Sequence, residues 1–291
     1  MATPEEDNVS QSVGGQAKGG TGGKPPTKPT SGTGGGGGST AKVVVDANPE
    51  REPPKQDPET PVVVVNKGDL VGHWRFEEGS GSKVKDVSGN GNDGQIVAGG
   101  VESAPVSQTP KWIPGHGGGK GIELNGTTEW VKVPSSDSLN TTGTNGSLTM
   151  SAWVKPANFD ATGDDYNFIV SRHEVGTAFE HFGLGLLSGR PAISVHFFSA
   201  VGASTVPVDN TWHHVAGTYD GITMSVFLDG ILASTSDIGW PIAADSTHLV
   251  IGGNQNIDVV KELWSGSIDD VLLYNRALGD SEIKSLAKPT P

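Results

Sequence analysis

From residue 69 onward, apolar and polar positions alternate with a period of two, in short runs cut by Gly, Asn, Asp and Pro. Successive side chains of a strand point to opposite faces, so this periodicity predicts β-strands rather than helices. The clearest run covers 147–154, where Leu148, Met150, Ala152 and Val154 alternate with Ser147, Thr149, Ser151 and Trp153. Further strands are expected over 71–76, 121–124, 130–133, 168–171, 182–187, 192–198, 212–219, 223–228, 248–251 and 266–274. Asp220-Gly221 and Asp229-Gly230 supply residues that tolerate positive φ, so each is expected to close a hairpin, which makes the middle of the chain a β-meander. One short helix is expected over 281–286, where Ile283, Leu286 and Ala287 share a face. Many short strands with so little helix predict an all-β fold, a two-sheet antiparallel β-sandwich.

Composition divides the chain near residue 67. Residues 1–66 hold no Phe, Trp or Tyr, and glycine is unbroken from Gly34 to Gly38. Such a stretch cannot bury enough apolar surface to offset its ordering entropy, so a disordered N-terminal tether is expected over 1–66 and the folded domain over 67–291. The apolar run at 61–66 is far shorter than the roughly 20 residues needed to span a bilayer and reads as a linker end or an edge strand. Charge narrows the partners: 20 basic against 33 acidic residues leave a net charge of −13, which repels a phosphate backbone and argues against nucleic acid. With no cysteine, disulfides, thiol catalysis and cysteine-ligated metals are excluded. Residues 1–30 show no basic segment followed by an apolar one. A tether ahead of a sandwich nonetheless reads as a spacer from an envelope, so an extracellular, surface or periplasmic location, with a leader ahead of Met1, is expected.

Five motifs fall in order: Trp74-Arg-Phe-Glu-Glu-Gly-Ser-Gly81, Asp86-Val-Ser-Gly-Asn-Gly-Asn-Asp-Gly94, Leu148-Thr-Met-Ser-Ala-Trp-Val154, Trp212-His-His-Val-Ala-Gly-Thr-Tyr-Asp-Gly221 and Gly266-Ser-Ile-Asp-Asp-Val-Leu-Leu-Tyr-Asn-Arg-Ala-Leu278. Together they resemble the laminin-G-like jelly-roll domain of the concanavalin A-like lectin/glucanase superfamily, over nearly all of residues 70–287. The resemblance implies a jelly roll and implies binding or adhesion more often than catalysis.

The loop from Asp86 to Gly94 repeats an oxygen-bearing side chain at Asp86, Ser88, Asn90 and Asn92, with glycines between. Calcium takes six to eight oxygen ligands in a flexible shell, so this spacing nominates Asp86, Asn90 and Asn92 for a structural calcium ion. Val97 stands where an EF-hand needs its bidentate Glu, which excludes that motif. First and last strands of a jelly roll are commonly neighbours, so Asp269 or Asp270 is the expected further carboxylate, and the resemblance favours such a site. The competing reading is an Asx-rich turn in which Asp86 binds backbone amides. For a glycan, the expected platform is an aromatic ring on a loop: Tyr166, Trp240 and Trp264 are nominated, with Trp112 behind them, each weighed against simple burial. Glycoside hydrolysis needs two carboxylates across a cleft, and the Glu-x-Asp-x-x-Glu strand of laminarinase-type relatives is absent; Glu77-Glu78 and Asp164-Asp165 are adjacent, which on a strand sends them to opposite faces. The expectation is therefore a non-enzymatic module for a glycan or a surface protein, with a protein-binding or structural envelope domain as the alternative and a glycoside hydrolase-like enzyme behind both.

Overall fold

A computed structural model describes residues 68–98, 104–105, 111–159, 166–173, 180–256 and 259–288; the expected tether, the run at 61–66 and Asp164-Asp165 lie outside them. The chain opens with β1 (Leu70–Trp74), β2 (Lys83–Val84), β3 (Gly94–Ala98), β4 (Ala104–Pro105), β5 (Lys111–Pro114), β6 (Lys120–Asn125) and β7 (Glu129–Val133). A four-residue helix α1 (Asp137–Asn140) precedes β8 (Leu148–Pro156), β9 (Tyr166–His173), β10 (Glu180–Leu187), β11 (Arg190–His196) and β12 (Phe198–Val201). Then come β13 (His213–Tyr219), β14 (Thr223–Leu228), β15 (Ile231–Asp237), β16 (Leu249–Ile251), β17 (Asn254–Asn256), β18 (Val259–Lys261), β19 (Ser265–Tyr274) and α2 (Asp280–Leu286).

The first sheet runs β15-β14-β13-β8-β19-β6-β5, with β1 also paired to β19, so the first and last strands are neighbours. The second runs β12-β11-β10-β9-β16-β7-β3-β2, with β4 on β3, and β17-β18 form a small hairpin. All pairings are antiparallel. Leu148, Met150, Ala152 and Val154 of β8 face Phe182, Leu184, Ile193 and Val195 in one apolar core between the sheets. This is the expected two-sheet sandwich. Asp229 (φ 50) and Gly230 (φ 76) both adopt positive φ between β14 and β15, which is the geometry of a two-residue hairpin turn.

The opposite side of β8 is buried as well, because the chain end folds over it. Thr149 Oγ1 donates to the Arg276 carbonyl (2.7 Å) and accepts from Leu278 N (2.9 Å), while Ile283 of α2 and Leu278 pack on Ala216, Phe227 and Leu272. Arg276 then ties this segment to the residue before β1 through Glu282 (2.6 and 2.8 Å) and Asp69 (2.9 Å). The helix expected over 281–286 is present one residue longer at its start, where Glu282 accepts from Gly279 N (2.9 Å).

One expected strand is two. The run 192–198 breaks at His196, whose φ of 55 turns the chain back so that Val195 pairs with Phe198 in a two-residue hairpin. No Gly or Asn marks this turn, and Phe197 is left at its tip. On the outer side of the second sheet, His248 stacks on buried Trp130 (5.6 Å between ring centres). Burial first, then the positive charges of Lys132 and Arg172, push the His248 imidazole down to about 4. Its contribution to stability is complete above 6.5, the ordinary histidine value, and is lost as pH falls through about 4. His248→Gln should therefore gain on the parent by about 1–3 kcal/mol between pH 7 and pH 4, measured as the difference in urea unfolding free energy; a difference that does not change with pH would contradict this.

Candidate functional site

The Asp86 loop is assembled by donors. Asp86 Oδ1 accepts from His73 N (3.0 Å) and Ser88 N (2.8 Å), and Oδ2 accepts from Ser88 Oγ (2.8 Å) and Asn92 N (2.9 Å). Asn90 Nδ2 donates to the carbonyls of Leu70 (2.7 Å) and Val71 (3.0 Å). Asn92 Nδ2 donates to Val71 O (2.8 Å), its carbonyl accepts from Trp74 Nε1 (2.8 Å), and its Oδ1 accepts from Ser136 Oγ (2.6 Å). Four donors around one carboxylate use all its lone pairs, which is the surrounding of an anion and not the oxygen shell of a cation. The residues nominated for calcium are thus brought together as a latch that staples β1 to α1.

Asp269 does not join them. Its Oδ2 accepts from His116 N (2.7 Å) and its Oδ1 from Asp270 N (2.8 Å). Among the described residues, no three of His, Cys, Asp and Glu converge as metal ligands. The hydrogen bonds thus place Asp86, Asn90 and Asn92 in one latch and Asp269 at the His116 turn. Burial, then the neighbouring Asp270 carboxylate, push Asp269 up to about 8, so it is largely neutral at pH 7.

The aromatic nominees separate. Trp264 is 1% exposed and sits in the core between the sheets, so it has no face for a ligand; its bulk is drawn inside where the chain enters β19. Tyr166 opens β9, half-buried, with its ring stacked on Phe168 (4.7 Å) and its hydroxyl bonded to Ser199. Trp112 is half-buried against the core.

Trp240 is 43% exposed and belongs to an aromatic rim. Phe197, at the tip of the β11–β12 hairpin and 57% exposed, lies 5.8 Å from it between ring centres. Phe198 (6.1 Å) and His196 (5.7 Å) complete the cluster. The position of Trp240 is fixed through its main chain: its carbonyl accepts from Tyr219 Oη (2.7 Å), and the Pro241 carbonyl lies 3.2 Å from His196 Nε2. Phe197 escapes a pattern search because 192–198 reads as one strand, which would bury or alternate it; the turn that exposes it carries no turn residue.

A second concave feature lies on the outer face of the first sheet. It is a cavity of about 680 Å³ bounded by β1, β8, β13, β19 and α2. A β-bulge between Asp269 and Leu272 shapes it, with Asp270 held at φ 45. Asp270 Oδ1 lies 3.0 Å from His73 Nε2 and 3.7 Å from Arg75 Nε. Trp153 carries His116 stacked on one face (3.5 Å), and His214 meets its edge (5.3 Å).

Two antiparallel sheets stacked with paired first and last strands define a jelly-roll sandwich, the scaffold of many lectins. The chain belongs to the concanavalin A-like lectin/glucanase superfamily: the laminin-G-like family of that description matches residues 125–284, more than half of the chain. No curated protein sequence matches it. Among solved structures, domain 4 of AbnA, a GH43 extracellular arabinanase from Geobacillus stearothermophilus in complex with arabinotriose, is similar at 20% identity and TM-score 0.56, covering 76% of this chain and 98% of that one. The binding domain of Paraclostridial Mosquitocidal Protein 1 is similar at 17% identity and TM-score 0.56. The binding domain of botulinum neurotoxin DC in complex with SialylT is similar at 12% identity and TM-score 0.53. Each toxin match covers 76% of this chain but only 52% and 51% of the respective toxin domain. At these identities the likeness is one of fold. No helix among the described residues is long and apolar enough to cross a membrane.

Proposed function

We propose that the domain is a non-enzymatic binding module that holds glycans against the aromatic rim, on an exported or surface-displayed protein. The observation that carries this reading is the side-by-side exposure of Trp240 and Phe197, the aromatic members of the exposed large hydrophobic residues among the described residues. A pyranose or furanose ring has a C–H face that stacks on an indole or phenyl surface, and its hydroxyls stay in water or reach nearby polar groups. The arabinotriose held by the arabinanase domain and the sialyl ligand of the toxin domain support the same use of this fold. Asp269 and Asp270 are adjacent, and both oxygens of Asp269 accept from main-chain amides, so the two do not face each other across a cleft, which favours binding over glycoside hydrolysis. Trp240→Ala and Phe197→Ala should each weaken a bound oligosaccharide by about 2- to 12-fold, the range of one aromatic contact. Calorimetric titration checks this, and unchanged affinity in both variants would overturn the assignment of the rim.

A second reading, docking of another protein, is favoured by one feature. Strand β15 is an edge of the first sheet, Ile231 on it is 72% exposed, and a cavity of about 350 Å³ beside it is lined by Ala203, Leu228, Leu232 and Ala233. An open edge with an apolar flank suits an added strand. Ile231→Lys separates the two readings, since it should leave glycan affinity intact while removing any protein partner recruited to that edge.

A further inference from the structure

We propose that the outer face of the first sheet carries a second ligand site, the cavity between β1, β8, β13, β19 and α2, and that it takes a single neutral sugar unit. The site does not depend on the rim, from which it differs in every lining residue.

Its strongest mark is His214. The ring lines the cavity, is 1% exposed, and its Nδ1 has no hydrogen-bond partner. The backbone behind it is pinned, because His214 N donates to Asp229 Oδ1 (2.8 Å). A buried ring nitrogen left without a partner is unfavourable, and a hydroxyl brought by a ligand would satisfy it. Burial pushes the imidazole down to about 4, so it is neutral at pH 7 and offers one donor and one acceptor.

The remaining lining sets the ligand class. Asp270 presents an acceptor; Arg75 and Lys288 present donors; Leu272 and Trp153 supply an apolar wall. Among the lining residues Arg75 and Lys288 stand against Asp270 (3.7 Å from Arg75), and Glu77, outside the lining, also faces Arg75 (3.8 Å), so neither sign of charge dominates the cavity. Asp269 behind the bulge, raised to about 8, does not tip that balance. A sugar hydroxyl donates and accepts at once, which matches a carboxylate beside a guanidinium, and the C–H face of one ring matches the apolar wall. The cavity volume falls within the range of small-ligand pockets, about 300–1,000 Å³. Asp270 at φ 45 is a strained position that the bulge maintains, and its consequence is to aim a carboxylate into the cavity.

The test follows the side-chain nitrogens of His214 by NMR in the full chain while D-glucose, D-galactose, D-mannose, L-arabinose, N-acetyl-D-glucosamine and D-glucuronate are titrated in turn. The expected result is a saturable shift of the His214 nitrogens with at least one neutral sugar and weaker binding of glucuronate. Asp270→Asn, which tolerates the left-handed backbone, should weaken that sugar by about 10-fold or more, and Arg75→Gln, on an exposed side chain, should weaken it as well. Trp240→Ala should leave the response in place. The proposal is overturned if no sugar moves His214, if glucuronate binds more tightly than every neutral sugar, if Asp270→Asn binds unchanged, or if Trp240→Ala abolishes the shift. A rim that binds no glycan while His214 responds would remove the rim assignment and keep this one.

Discussion

Asp86→Ala should destabilise the domain by about 3–5 kcal/mol, since it orphans several buried or half-buried donors at a cost of roughly 1–3 kcal/mol each. The main-chain donors are His73 N, Ser88 N and Asn92 N, and they belong to three different points of the chain. Their loss frees the latch that fixes β1, and with it the Trp74 indole, whose partner is the Asn92 carbonyl. Asp86→Asn should recover little, because its amide group must face donors on one side. Urea unfolding of the two variants measures this. In the parent, a chelator should leave the unfolding midpoint unchanged, since the Asp86 oxygens are engaged by protein donors; a midpoint lowered by chelation and restored by calcium would return the loop to the cation reading.

Arg172→Met should be nearly as damaging, by about 3 kcal/mol, and should reach the rim. Arg172 is buried, and burial lowers its guanidinium to about 10, so it is still charged at neutral pH. It donates to the Leu139 carbonyl, to Asn140 Oδ1 (2.7 Å) and to the carbonyls of Asp245 (2.9 Å) and Thr247 (2.9 Å). One side chain thus holds α1 to the 238–248 connection that carries Trp240. Met fills much of the volume but satisfies none of these carbonyls, each of which then costs about 1 kcal/mol or more. The expected signature is a lower unfolding midpoint together with a loss of glycan affinity larger than a surface change would give. Full stability in Arg172→Met would show that water replaces the guanidinium.

The sandwich was legible because its strands are half-buried or, like β8, alternate cleanly: Leu148, Met150, Ala152 and Val154 face inward as the period of two requires. The turns at Asp220-Gly221 and Asp229-Gly230 were legible because positive φ needs particular residues there. Strand β15 was not, since Ile231–Asp237 packs little of itself and reads as polar loop. The His196-Phe197 turn was missed for the opposite reason, an apolar run hiding a reversal that only tertiary pairing specifies. Among site residues, Trp240 could be nominated from its irregular Gly and Pro surroundings, yet the same surroundings nominated Trp264, which the fold buries. The oxygen spacing of Asp86, Asn90 and Asn92 was real, but composition cannot say whether oxygens meet a cation or amides. Nor does it reveal the cavity at His214, whose walls come from β1, β8, β13, β19 and α2, distant in sequence.

The central claim, that this sandwich binds glycans through its rim, is tested most directly by presenting the full chain and a Trp240→Ala/Phe197→Ala double variant to a broad oligosaccharide panel, arabinan fragments included. The account predicts defined binding by the parent, equal in calcium and in chelator, and its loss in a double variant whose unfolding midpoint is unchanged. Binding that survives removal of both rings, or a parent that binds no oligosaccharide while fully folded, would contradict it.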